Sequence, residues 1–409
     1  MASQVDSFWT TSGRIDAFAF EKVAPYDLNK HLGWIEGVTD GSLTFGYNTD
    51  LKVSGSLNIV YHERISSCIV RVHYKPRLGT EQKDEVLCTC IASADGMTFD
   101  KGVYNGSLEL KSMLQQYIGD KLRTGFTIGK NKSYKAEMKR LIKGIGGGTY
   151  GFGSGVDDKK CLKATAFEVG RSPMEVIQSI ADSLGGQVGV NANGKMVINK
   201  YKTPGKKTCT LKLPKGSYSV IKSPVEISDN VNTAVNRVAY RCTVSWKQVE
   251  YVLDKKGNRV KYTSGANKGK YKTKTVNKSR DIIGRAQVNT SSPLHRNKTG
   301  TWRSEIYDCK KDIGTKKLGT TAELNKKLAE IQAEMNAKAA TKLSNVAYRQ
   351  TYYVIECSYL PVEIGQVVEF ERTQSGLNLH VQAMITDIDL TMGKAQASMK
   401  IKLRHVRNV

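Results

Sequence analysis

The sequence predicts an α+β fold that is mainly β: two β-rich domains, an inserted small helix-plus-hairpin module and one long amphipathic helix. Short runs of alternating apolar residues, bounded by Gly and Asp turn signals, fill most of the chain. A capped helix followed at once by a hairpin signal precedes the middle of the chain, and a long helical pattern lies in its second half. A chain of 409 residues is also too long for one ordinary core.

These patterns divide the chain into four predicted parts. They are an N-terminal arm at residues 1–31, a first β-rich domain with helices at 32–158, a small helix–hairpin module at 159–205 and a second β-rich domain at 206–409. The second domain contains a basic excursion at about 247–317 and a helix at about 321–345. We therefore expect two β domains, with the module between them.

The first β-rich domain begins with alternating or short apolar runs at residues 32–92. Asp40-Gly41 and Asp95-Gly96 predict turns between strands. Ser133 predicts the start of a helix because its side chain can cap the first turn.

A glycine-rich stretch follows at residues 144–155. Gly146-x-Gly148-x-x-Gly151 formally matches a dinucleotide-binding fingerprint. That fingerprint needs a strand before it and a helix after it, whereas here a helical segment precedes it. The favoured interpretation is a flexible connection or loop, with phosphate binding as the alternative.

The helix–hairpin module has the strongest local signals in the chain. A capping box predicts the helix start, a glycine pair its end, and an Asn-Gly pair a two-residue hairpin turn. The residues that carry these signals are Ser172, Pro173 and Glu175 at the start, Gly185 at the end, and Asn193 and Gly194 in the turn. They form a structural signature and supply no chemistry by themselves.

The second β-rich domain has a strand pattern at residues 235–246 and then the basic excursion. A helix is predicted at 321–343 because its apolar residues recur at spacings of three and four. Separate strands are predicted at 352–357, 367–370, 379–384, 388–390 and 399–403. Gly365 predicts a turn between the first two of these strands.

The formal net charge of +25 points to an anionic partner, either a nucleic acid, an anionic surface or an acidic protein. Within the basic excursion, Lys268, Lys270, Lys272 and Lys274 are the candidate partner-contact residues. The alternative for such a run is a solvated charged face. Three aromatic residues, Tyr262, Tyr271 and Trp302, are too sparse to indicate specific base stacking.

Catalytic, cofactor and metal motifs are missing from the sequence. It has no H-E-x-x-H, G-x-S-x-G or phosphate-binding loop, so we predict no cofactor, no metal and no catalytic residue. Cys88-x-Cys90 could bind a metal with distant partners, but two core cysteines are the commoner case. Asp387 and Asp389 share a strand face, where solvated or paired carboxylates outnumber catalytic ones. No secretory or membrane segment is visible, which predicts synthesis in a cytoplasm.

With the elements in order, the chain resembles the hub proteins of bacteriophage tails and baseplates. The resemblance includes the late-control D protein, the type VI secretion spike hub and siphophage minor tail proteins. It rests on RSPMEVIQSIADSLGGQVGVNANGKMVI (171–198), WIEGVTDGSLTFGYNTDLKVSGSLNI (34–59) and YLPVEIGQVVEFER (359–372), followed by VQAMITDIDLTMGKAQASMKIKLR (381–404). The basic excursion and the high net charge depart from the common pattern.

The resemblance implies a structural hub at the virion's tail tip or baseplate. Such a hub is a homotrimer whose two similar barrels per chain make a ring around the tail channel, joining the tail tube to the tip or spike. The implied partners are a distal tail or tail tube protein, a tape measure protein, and tip, spike or receptor-binding proteins. DNA would pass through the channel during genome ejection without specific binding, and no stable membrane insertion is implied.

Two other functions remain open on the sequence: a nucleic-acid-binding protein that uses its basic surface, and a cell-wall-degrading tail enzyme. A strongly basic channel wall would hold DNA through counterion release and slow its exit. We therefore predict that most lysines and arginines of the basic excursion face outward or contact acidic partner subunits.

Overall fold

The computed structural model describes residues 3–47, 49–161, 164–200, 209–214, 221–222, 225–230, 235–292, 294–316, 321–346, 350–374, 377–393 and 397–406. The chain divides into two compact units. Unit 1 contains Met1–Ile227 and Tyr352–Val409, and unit 2 contains Ser228–Thr351. This division differs from the predicted first and second β-rich domains, because strands from both ends of the chain pair in one sheet. The predicted module end at residue 205 lies outside the described residues.

The elements before unit 2 are mostly strands. They are β1 (Ser3–Gln4), α1 (Ser7–Thr10), β2 (Phe18–Ala24), β3 (Asp27–Trp34), β4 (Val38–Gly46), β5 (Val53–Tyr61), β6 (Cys68–Tyr74), β7 (Arg77–Leu78), β8 (Glu81–Gln82), β9 (Glu85–Asp100), β10 (Val103–Ser112), α2 (Gln115–Gly119), β11 (Phe126–Ile128), α3 (Tyr134–Gly144), β12 (Tyr150–Phe152), β13 (Thr165–Phe167), α4 (Pro173–Leu184), β14 (Gly186–Val190), β15 (Met196–Lys200), β16 (Cys209–Lys212) and β17 (Glu226–Asn230).

Unit 2 and the return to unit 1 supply the remaining elements. They are β18 (Arg237–Tyr251), β19 (Thr273–Gln287), α5 (Arg296–Thr299), β20 (Ser304–Lys316), α6 (Thr321–Val346), β21 (Gln350–Ser358), β22 (Val367–Gln374), β23 (Leu377–Met392) and β24 (Ala397–His405). The mainly β composition is thus confirmed. None of the described helices is both long and apolar enough to cross a bilayer.

One sheet of fourteen strands dominates unit 1. Its order is β1-β16-β22-β23-β4-β5-β10-β9-β6-β2-β3, with a branch in which β24 pairs with β23, β21 with β24 and β17 with β21. The antiparallel pairing of β4 with β23 is the seam between N-terminal and C-terminal strands. Among the described residues no sheet closes on itself, so the predicted barrels are not confirmed.

The N-terminal residues are part of this unit and do not form a separate arm. Phe8 and Trp9 are buried in the main core, and β2 and β3 belong to the large sheet. The buried carboxylate of Asp16 accepts hydrogen bonds from Arg14 Nε at 2.9 Å, from the Ala397 amide at 2.7 Å and from the Tyr74 hydroxyl. Asp16 is thus attached to β6 through Tyr74 and to β24 through Ala397.

The helix–hairpin module is larger than the sequence indicated. Its core joins α2, α3 and α4 with β14 and β15, so it extends from Leu114 to Ile198. The glycine-rich stretch is not only a loop, because β12 pairs in parallel with β15. The predicted capped helices at Ser133 and Ser172 are both confirmed.

Two predicted turns are wrong because strands run through them. Asp40-Gly41 lies inside β4, beside a bulge, and Asp95-Gly96 lies inside β9. The two strands predicted at 379–384 and 388–390 are one strand, β23, with a register shift after Ile385. A bulge absorbs a glycine or a break in alternation without ending a strand.

Unit 2 is a three-stranded sheet with α6 packed on one face. The order is β19-β18-β20, and the apolar face of α6 covers Cys242, Val244 and Ile282. Much of the basic excursion thus belongs to this sheet. It contains the hairpin that connects β18 to β19. Gly284 lets α6 approach closely, because a Cβ at this position would collide with the backbone of Met335.

Candidate interaction surfaces

The signature residues of the module set its local geometry. The Ser172 hydroxyl accepts from the Glu175 amide and the Glu175 carboxylate accepts from the Ser172 amide, each at 3.3 Å. Pro173 occupies the first helical position, and Gly185 ends the helix in the left-handed region at φ +74°. The arrangement is a reciprocal cap with a glycine stop, as the sequence predicted.

The hairpin loop of the module differs from the prediction at Asn193-Gly194. β14 ends at Val190 and β15 begins at Met196. The Asn191 amide donates to the Lys195 carbonyl at 3.0 Å, so the loop between these two residues has three residues instead of two. Gly194 is its left-handed residue, at φ +78°. A three-residue loop with Gly in this conformation is the next commonest hairpin connection.

The same loop is fixed against the main sheet. The Ala192 carbonyl accepts a hydrogen bond of 2.7 Å from the Thr89 hydroxyl. A Cβ at Gly194 would lie 2.9 Å from Met113 and 3.1 Å from Thr89, so a larger residue would push the loop away. Gly194 therefore has two roles, turn and close contact, and only the first was visible in the sequence.

Gly365 occupies the predicted turn before β22. Its φ is +79°, its amide donates to the Ile385 carbonyl at 2.8 Å, and a Cβ would lie 3.1 Å from the Tyr47 ring. The turn before β22 therefore packs closely against Tyr47, the residue that follows β4.

A cavity of about 650 Å3 lies beside the hairpin and is lined by residues of the main sheet. Lys52 and Glu85 are among the titratable groups that border it. Burial lowers the pKa of Lys52, whose ammonium donates to the Tyr47 carbonyl at 2.7 Å. Burial raises the pKa of Glu85, which accepts from the Tyr359 hydroxyl at 3.2 Å. Each of these two groups makes a hydrogen bond within the protein, as polar groups with a structural role do.

A second polar cluster surrounds Glu21 on β2. Its carboxylate accepts from Arg71 at 3.0 Å and contacts the rings of His73 at 3.1 Å and His31 at 3.0 Å. Burial alone would raise the pKa of Glu21, but these hydrogen bonds and the charge of Arg71 hold it below its usual value. The cluster joins β2, β3 and β6 through side chains.

One group of described residues has the composition of a metal site. Glu369, Glu371 and His380 face one another across β22 and β23. His380 lies 3.1 Å from Glu369, and Lys212 lies 3.2 Å from the same carboxylate. Contacts with Lys212 and His380 already occupy the Glu369 carboxylate.

The other candidate ligands and carboxylates lie in structural surroundings. Cys88 and Cys90 are buried on one face of β9, and their mutual hydrogen bond, with burial, raises the pKa of Cys88. Asp387 and Asp389 lie opposite Lys402 and Lys400 in the register of β23 and β24. The Asp389 carboxylate also accepts from Thr44 at 2.8 Å.

The four basic candidates lie together near the end of the β18–β19 hairpin. Lys268, Lys270 and Lys274 are exposed, and Lys272 is half-buried with its ammonium 5.3 Å from the Tyr262 ring centre. Between described residues, no ion pair involves a cation from residues 255–274. The cations are thus available to an external anion.

Comparison with solved structures identifies the fold. The chain is similar to the tail protein of Neisseria meningitidis MC58, at 11% identity and a TM-score of 0.53, over 95% of this chain and 97% of that one. It is also similar to the 43 kDa tail protein of prophage MuSo2 from Shewanella oneidensis, at 12% identity and a TM-score of 0.52, over 94% and 97%. The chain has the fold of phage tail proteins.

The fold also matches part of a longer chain. A chain of the Francisella PdpA–VgrG complex matches at 9% identity and a TM-score of 0.50, over 98% of this chain and 60% of that one. No family model and no curated protein matches the sequence. Identities this low establish a shared fold and no more.

The sequence did not indicate the buried contacts of residues 9–16. The alternation of lysines at 268, 270, 272 and 274 was the available signal for strand-like structure in the hairpin. The Asp16 contacts gave no signal, because their partners lie far away in the sequence.

Proposed function

We propose that this chain is a structural tail-tip or baseplate hub that forms a homotrimeric ring around the tail channel. The observation that carries the proposal is the end-to-end match: two phage tail proteins share the fold over at least 94% of this chain and 97% of their own. A match over both units supports a common architecture, because an isolated shared domain would leave one unit unmatched.

In this proposal the sheet supplies two similar, barrel-like halves per chain, joined where β4 pairs with β23. Three chains then give six similar positions, which suits a sixfold tube above and a threefold tip below. The proposed partners are the tail tube or distal tail protein, the tape measure protein, and the tip, spike or receptor-binding proteins. A trimer of chains with +25 each needs acidic neighbours or bound anions to offset self-repulsion.

Oligomeric state and position in the particle test the proposal. Native mass spectrometry of the purified chain, or imaging of an assembled tail, should give three copies in a ring around the channel. A strict monomer, or six copies per particle, would contradict it. A peptidoglycan zymogram separates the hub from a cell-wall-degrading enzyme, and we expect no clearing.

A further inference from the structure

The end of the β18–β19 hairpin, residues 252–274, is an ordered structure that we name the hairpin tip. Its chain folds back so that residue 260 lies between the two sides. The Val260 amide donates to the Val252 carbonyl at 2.9 Å, and the Lys272 amide donates to the Val260 carbonyl at 2.8 Å. Tyr262 extends the pairing by donating to the Lys270 carbonyl at 2.9 Å. The tip therefore presents its side chains from a hydrogen-bonded framework.

The charge of the hairpin tip is almost wholly of one sign. Eight cations against one carboxylate give a formal charge of +7. The cations are Lys255, Lys256, Arg259, Lys261, Lys268, Lys270, Lys272 and Lys274. The single carboxylate, Asp254, is occupied within the turn, where it accepts from the amides of Lys256 at 2.8 Å and Asn258 at 2.9 Å. Its carboxylate is thus engaged within its own turn.

Apolar side chains are exposed among these cations. Leu253 is 57% exposed, Tyr271 42% and Tyr262 37%. Arg259 lies 4.2 Å from the centre of the Tyr251 ring, and Lys261 lies 5.1 Å from that of Tyr271. Aromatic rings and an aliphatic side chain between lysines make a surface that is both apolar and cationic, as in proteins that bind at the bilayer interface.

We propose that the hairpin tip docks reversibly on an anionic phospholipid membrane. Clusters of four to eight lysines and arginines are attracted by anionic lipid headgroups, and an exposed leucine and tyrosines can enter the interfacial layer beneath them. The inference goes beyond the proposed hub role and stands on the tip alone. Of the two placements predicted for the lysines and arginines of the basic excursion, facing outward or contacting acidic subunits, the proposal agrees with the first.

Two other anionic partners fit the tip less well. Seven of the eight cations are lysines, and lysine is depleted from the cores of protein–protein interfaces, where arginine is enriched. Nucleic acid would stack its bases on open aromatic rings, but the tyrosine rings already have cations 4.2 to 5.8 Å from their centres. The exposed side chain of Leu253 would add little to the binding of an acidic protein or a nucleic acid, whereas a membrane interface would bury it.

Vesicle co-sedimentation of the full chain tests the proposal. Vesicles of phosphatidylcholine containing phosphatidylglycerol should bind the protein, and vesicles of pure phosphatidylcholine should not. Each cation near an anionic leaflet increases binding about fivefold. Replacing Lys268, Lys270, Lys272 and Lys274 together by Gln should therefore weaken binding by roughly a few hundredfold.

A matched variant removes the same charge elsewhere on the surface. Replacing the exposed residues Lys139, Lys298, Lys310 and Lys326 by Gln should weaken vesicle binding only a few-fold, because these residues lie outside the tip. Equal losses in the two quadruple variants would overturn the proposal. Unchanged circular dichroism melting of both variants would show that folding is intact.

The apolar part of the proposal has its own test. Leu253→Ser should reduce vesicle binding several-fold and leave binding to a heparin column unchanged, because heparin responds to charge alone. No effect of Leu253→Ser on vesicles would overturn membrane docking in favour of a simple polyanion site. Tighter binding to duplex DNA than to anionic vesicles would identify nucleic acid as the partner. If the quadruple lysine variant still bound vesicles but could not assemble into tails, the partner of the hairpin tip would be an acidic tail subunit.

Discussion

The Asp16 network offers a direct measure of how firmly the N-terminal residues are held. Asp16→Asn keeps the shape of the side chain but removes the charge that pairs with Arg14, which is buried with it. It also leaves an amide nitrogen where an oxygen accepted from the Ala397 amide or the Tyr74 hydroxyl. Removing one partner of a buried ion pair costs about 3–5 kcal/mol.

Urea unfolding and hydrogen exchange measure this cost. The free energy of unfolding of unit 1 should fall by about 3–5 kcal/mol, and the Ala397 amide should exchange faster. Arg14→Met in the Asp16→Asn background should recover part of the loss, because the unpaired cation is then gone.

An exposed ion pair in unit 2 is the matched control. Arg241 makes two hydrogen bonds to Asp308, at 2.7 and 3.1 Å, but both side chains are at least half exposed. Asp308→Asn should therefore cost much less than Asp16→Asn, because solvent screens an exposed ion pair. If Asp16→Asn costs no more than Asp308→Asn, the argument for a buried anchor at the N-terminus is wrong.

Three further predictions concern local features. Ser172→Ala should lower the free energy of unfolding by about 1 kcal/mol through loss of the cap, and Ser172→Thr, which keeps the hydroxyl, should lose less in urea melts. Gly284→Ala should destabilise unit 2 by about 2–3 kcal/mol because the methyl group meets the backbone of Met335; unchanged melting would refute this close approach. The pKa of Glu21 lies below its usual value in the folded state, so the stabilisation is present above the usual pKa of glutamate and is lost as pH falls through the lowered pKa. Glu21→Gln should flatten this acid dependence, as urea midpoints measured at several pH values would reveal.

Features with local causes were predictable from the sequence. The capping box at Ser172 and Glu175 acts over three residues, and its helix begins where the sequence indicates. The long helix α6 was equally legible, since its apolar stripe repeats over several turns and packs on one sheet face. The tail-protein fold followed from the order of such pieces.

Features with distant causes were not predictable. Asp40-Gly41 has the residues of a hairpin turn, but neighbouring strands on both sides keep it within β4. Asn193-Gly194 correctly marks a hairpin, yet contact with Thr89 accompanies a loop one residue longer than predicted. The N-terminal residues resemble an arm because their anchors, Tyr359 and Ala397, lie at the other end of the chain.

The seam between β4 and β23 has a consequence for the order of folding during synthesis. Thr44 and Asp389 bond across it although they are 345 residues apart in the chain. The N-terminal strands therefore leave the ribosome with an unpaired edge at β4, while unit 2, whose contacts are internal, can fold as it emerges. Contacts of such long range close slowly, and an open edge meanwhile invites pairing with other chains. Completion of the sheet thus waits until β23 has been translated and can pair with β4.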